Sequence, residues 1–213
     1  MKLTTHPSFL SWYYYVAPNH NAFTLARRTM TLANFAAFFI FAFYPCMPPR
    51  LLPESYGFQD TVRQGNAESV WTKSSNVNQL AAMPSLHFTY AFTIGSTFLY
   101  HSGLISALFG KGRRAMRQNA FVGALYAIAA FAYPLLVLLI IVATANHFWL
   151  DAAVATLSVT LSFFLNRVWL LLLPLELALQ LVLRVEKPIP TTGMNSRADA
   201  RAEKSRGRAP SVV

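Results

Sequence analysis

The chain has 213 residues but a single cysteine, Cys46, and only 12% charged residues. One cysteine excludes an intrachain disulfide and reads as a small apolar residue within a helix. A water-soluble domain is roughly 25% charged. The shortfall, set beside 54% hydrophobic and 14% aromatic residues, places much of the chain in lipid. Negative charge is scarcer than positive: 8 Asp and Glu against 18 Lys and Arg, a net charge of +10. Basic chains often bind nucleic acid, yet here apolar runs break the charges into short clusters. Clusters between spans record topology and contact with anionic headgroups, so a membrane, and no nucleic acid, is the expected partner. A secretory signal, a lipidation motif and an internal repeat are not expected either.

A spanning helix needs about 20 apolar residues. Residues 8–16, FLSWYYYVA, fall short of that. They read as an interfacial aromatic stretch, or as the tail of a helix that starts outside the sequence. The first full span is expected at Met30–Met47, closed by Pro45, Pro48 and Pro49 because proline cannot continue a helix ladder. Residues 51–83 read as a long polar loop with a short helix near 66–72, and loops of that length are often functional. A second span is expected over Pro84–Leu104, followed by a basic loop with Lys111, Arg113, Arg114 and Arg117. A third covers Ala120–Ala145, kinked at Pro134, and a fourth His147–Leu173. The resulting division is an N-terminal stub over 1–29, a membrane catalytic domain over 30–173, an amphipathic helical extension over 174–185 and a disordered basic tail over 186–213. The last composition cannot bury a core.

Two spans separate Arg27 and Arg28 from the Lys111–Arg117 cluster, and two more separate that cluster from the basic tail. All three then share one side, which the excess of Lys and Arg makes cytoplasmic. The 51–83 loop has no basic excess and belongs on the lumenal or extracytoplasmic side. That arrangement brings Arg50, Ser85, His87, His147 and Asp151 out at the extracytoplasmic face, although they lie far apart in sequence.

Taken singly, each has a plain reading. His87 could be an ordinary interfacial histidine, and Arg50 could snorkel to headgroups. His147 and Asp151, four apart on one helical face, could form a structural cap or half a metal site. Taken together they suit a phosphate ester. A histidine donating one ring nitrogen to a carboxylate is the better nucleophile at the other. A second histidine can hand a proton to the leaving alkoxide. Arg50 offers a bidentate positive charge. Pro84, at a first helical position, and Asn146, as a cap, would present two helix N-termini to an anion, with Ser85 adding a hydroxyl. Two histidines and an aspartate could hold zinc, but Arg50 and the helix termini would repel the cation, so no metal is expected.

The motifs Pro84-Ser85-Leu86-His87 and His147-Phe148-Trp149-Leu150-Asp151 resemble the second and third signatures of the phosphatidic acid phosphatase type 2 superfamily, over about Arg27 to Leu173. The phrases YPCMPPRLLPE (44–54), AAMPSLHFTYAF (81–92) and ATANHFWLDA (143–152) look like its inositol phosphorylceramide synthase branch, the aureobasidin-resistance type. The resemblance implies an all-α polytopic membrane bundle of six helices. Here about four spans are visible, so N-terminal helices are expected to be missing. It also implies that His147 attacks phosphorus to form a phosphohistidine, that Asp151 supports it and that His87 protonates the leaving group, without a cofactor. The chain departs from the motifs at three positions: Phe43 stands where a lysine is usual, Ile141 where an arginine is, and Ala155 where a glycine is. The implied function is inositolphosphotransferase-like headgroup transfer between phospholipid and ceramide-like lipids in a Golgi or other endomembrane. The alternatives are a lipid phosphate phosphatase using the same site, or a catalytically inactive membrane relative.

Overall fold

A computed structural model describes residues 5–58, 80–108, 120–185 and 190–192. The described chain is all-helical: α1 (Thr5–Val16), α2 (His20–Phe43), α3 (Leu86–Ser102), the short α4 (Leu104–Leu108), α5 (Ala120–Ala143), α6 (Trp149–Phe164) and α7 (Leu173–Leu183). Short 3-10 turns cover Pro49–Leu51 and Glu54–Tyr56, and a longer 3-10 stretch, Leu165–Leu172, joins α6 to α7. The expected helix near 66–72, the basic loop at 111–117 and most of the basic tail lie outside the described residues.

Two segments are long and apolar enough to cross a membrane, Ala120–Ala143 and Trp149–Leu183. Only 22% and 17% of their most apolar windows are buried, which sets them apart from core helices of a water-soluble globule. α2 has 24 residues but carries Arg27, Arg28 and Asn34, and α3 has 17 residues.

Local chemistry explains where the helices begin and end. α2 starts ten residues before the expected Met30, because Arg27 and Arg28 sit inside the helix rather than ahead of it. It stops at Phe43 and not at Met47, since the residue before a proline, Tyr44, is pushed out of the helical region. α5 runs unbroken through Pro134 and ends two residues before the expected Ala145. There the amides of Ala145 and Asn146 close back on the carbonyls of Val142 and Ile141, a paired C-terminal lock that needs a left-handed residue. Ala145 takes that conformation, with φ +51°, where glycine is usual. α6 turns into 3-10 helix after Phe164, ahead of Pro174 in the first turn of α7.

The described residues divide into two compact units, those within Arg28–Asn166 and a second one gathering 5–27 with 167–185 and 190–192. In the larger unit, α3 packs against α5 and α6. Phe88 and Ala91 of α3, Val137 and Ile141 of α5, and Ala152 and Ala155 of α6 form its buried cluster. The α3–α5 seam is tightest at Gly95. A Cβ built there would lie 2.6 Å from the Ala130 carbonyl oxygen and 2.6 Å from Pro134 Cγ. Pro134 has no N–H for the carbonyl four residues back, which is that of Ala130. Gly95 thus lets a second helix close over the one turn of α5 whose ladder is interrupted. In the smaller unit, Tyr14 and Phe23 meet edge to face at 5.1 Å, and Tyr14 and His20 bond to the hydroxyls of Thr191 (3.0 Å) and Thr192 (3.4 Å).

Candidate functional site

The ends of α2, α3, α5 and α6 are joined by main-chain hydrogen bonds. After Pro45 halts α2, Cys46 pairs with the segment before α3. Its amide donates to the Leu80 carbonyl (2.7 Å), and its carbonyl accepts from the Ala82 amide (3.1 Å). The Arg50 amide donates to the Ala145 carbonyl (2.9 Å), just beyond α5. The Ser85 amide donates to the Asp151 carbonyl (3.3 Å) in the first turn of α6. Each of these bonds spans a long stretch of sequence, so the backbone itself brings the motif segments to one place.

His147 lies between α5 and α6, and its amide donates back to the Ile141 carbonyl at 3.2 Å. The residue is 7% exposed. Nδ1 stands 2.8 Å from the Ala82 carbonyl oxygen and 3.3 Å from Asp151 Oδ2. Asp151 is buried at 3% exposure, and the same Oδ2 accepts from the Phe148 amide at 2.9 Å. Thus Asp151 is both partner to the ring and cap of α6. Phe148 is the N-cap position and α6 begins at Trp149, so the expectation that Asn146 caps this helix is corrected. Asn146 instead donates from its side chain to Thr144 Oγ1 at 2.7 Å.

Ser85 is the N-cap of α3, with Oγ accepting from the Phe88 amide at 3.3 Å, and it is fully buried. Pro84 therefore precedes the helix rather than occupying its first position. His87, in the first turn, brings its ring to 5.9 Å from that of His147, centroid to centroid, at 62°. The rings are too far apart to bond directly and near enough to flank one small group. Among the described residues no three His, Cys, Asp or Glu side chains gather in a way that would hold a metal ion.

All five residues singled out from the sequence thus fall where helix ends converge, with Arg50 placed through its main chain. Sequence reasoning missed Ala82 and Cys46, which act through backbone groups that no side-chain motif records. The arrangement of the three motif departures is also informative. Ile141 and Ala155 belong to the buried cluster beneath the site, whereas Phe43 is 73% exposed. Ile141 and Ala155 are thus absorbed into apolar packing.

A sequence model of one protein family, described as the PAP2 superfamily, matches residues 1–165. Comparison with curated proteins gives no match, and comparison with solved structures gives none.

Proposed function

Given that the chain belongs to the PAP2 superfamily, we propose that it is a membrane enzyme acting on lipid phosphate esters by way of a phosphohistidine on His147. The observation that carries this reading is the buried pairing of His147 with Asp151, with a second histidine ring 5.9 Å away. In the reaction, His147 Nε2 attacks phosphorus while His87 gives a proton to the departing alkoxide. Water or a lipid alcohol then attacks the phosphohistidine, and His87 takes up the incoming proton. Asp151 stabilises the positive charge that grows on the His147 ring. Arg50 and the N-terminal amides of α3 hold the phosphate oxygens, and Ser85, buried as the cap of that helix, fixes their direction and keeps an O–H available.

Within that chemistry we favour headgroup transfer of the inositolphosphotransferase kind onto a ceramide-like acceptor. The support is the run of residues around each motif (44–54, 81–92 and 143–152) together with Phe43 and Ile141, which leave the phosphate fewer cations than the superfamily motifs supply. The reactive face is assigned to the lumenal side and the basic tail to the cytoplasm, on the distribution of Lys and Arg. Two measurements test these statements. His147→Ala in a membrane preparation is expected to lower lipid-headgroup turnover by about a million-fold, as loss of a covalent nucleophile does; unchanged turnover would refute the enzymatic reading. Headgroup transfer measured beside phosphate release, from one purified sample, separates a transferase from a phosphatase.

A further inference from the structure

We propose that the main-chain carbonyl of Ala82, and not the Asp151 carboxylate alone, decides which nitrogen of His147 carries the proton, making Ala82 a positioning residue for the reaction proposed above. A carbonyl oxygen can only accept, so a bond to it requires Nδ1 to be the N–H and leaves Nε2 with its lone pair. The Ala82 oxygen is the nearer of the two acceptors, at 2.8 Å against 3.3 Å. It is also the acceptor with less else to do. Asp151 Oδ2 already takes the Phe148 amide at 2.9 Å, a bond that α6 needs to start.

The carbonyl is itself held in place. Ala82 is 3% exposed, and its amide is bound to Cys46. Three residues on, the Ser85 amide is bound to the Asp151 carbonyl. One short segment, 82–87, therefore sets the tautomer of one histidine through Ala82 and delivers the other through His87. A neutral acceptor of this kind does not titrate, so the tautomer stays set whatever the protonation state of the carboxylate. Asp151 is then free to act later, stabilising charge on the ring once phosphorus has been attacked.

Two changes to the full chain in lipid nanodiscs test this, with 15N-histidine spectra reading the tautomer. The first is Asp151→Ala, which removes the carboxylate and leaves Ala82 as acceptor. The second replaces Met83 by its α-hydroxy acid analogue, turning the 82–83 amide into an ester and weakening the Ala82 carbonyl as an acceptor. Asp151→Ala is expected to keep the Nδ1–H form of His147. The ester is expected to admit the Nε2–H form and to lower kcat by about tenfold with KM unchanged, as misorientation of a reacting histidine does. Conversion to Nε2–H in Asp151→Ala, or an unchanged tautomer in the ester, would overturn the assignment. Should the ester chain not fold, the Asp151→Ala spectrum decides alone. Because the spectra need no turnover, an Nδ1–H ring in an inert protein would sink the enzymatic reading while leaving this one standing.

Discussion

α3 and α5 are neighbours that solve opposite problems. α3 buries a stripe of polar residues, Ser85, Thr89, Thr93, Thr97 and His101, spaced one turn apart. Each threonine hydroxyl donates to the carbonyl four residues back, at 2.9, 2.8 and 2.9 Å in turn, so the buried O–H groups are satisfied inside their own helix. α5 does the reverse. Phe121, Leu125, Ile128, Phe131, Leu135 and Leu136 are all more than half exposed, while Ala130, Val137 and Ile141 face inward. In water such a pair would be inside out. In lipid, polar groups are the ones that need enclosure, and apolar side chains can face outward without cost.

Reversing that logic on α5 should have the largest effect. Phe131→Arg sets a charge in mid-helix on the exposed face and should cost about 3 kcal/mol of insertion, read as the fraction of chain integrated into membranes. Integration equal to that of the unaltered chain would mean α5 does not face lipid. Next comes the seam between the two helices. Gly95→Ala forces a methyl against the Ala130 carbonyl and Pro134, and should lower stability by about 1–3 kcal/mol, measured as thermal unfolding in lipid. At the end of α5, Ala145→Gly relieves an L-residue at φ +51° and should raise stability by about 1 kcal/mol. Smallest is Thr93→Val on α3, expected to shift stability by less than about 1 kcal/mol, since the lost bond stays within one helix. A larger loss would show that Thr93 also serves a neighbouring helix.

The candidate residues could be picked out of the sequence because their types are chemically demanding: two histidines and an aspartate have few other reasons to recur at helix ends. The helices Ala120–Ala143 and Trp149–Phe164 were legible through apolar length, whereas α1 and α4 are too short for that signal. The boundaries were less so. Arg27 and Arg28 looked like flanking charges, yet the Arg27 guanidinium rests over the Phe23 ring at 5.5 Å and both residues continue a helix begun at His20. Asn146 had the right chemistry for a cap, but Asp151, reaching back from inside the first turn of α6, took that place. Nothing in residue identity revealed Ala82 or Ala145, whose contributions are a carbonyl and a dihedral angle.

The contact between Tyr14 and Thr191, with His20 and Thr192 beside it, has a consequence of parity. Residues 14–20 and 191–192 touch, so they occupy the same compartment, and whatever stretch of lipid the intervening chain threads it must thread an even number of times. Hydropathy can miscount a marginal helix such as α3. With α5 and the Trp149–Leu183 segment each counted as one crossing, an even total ties the fate of α2 and α3 together: either both cross or neither does.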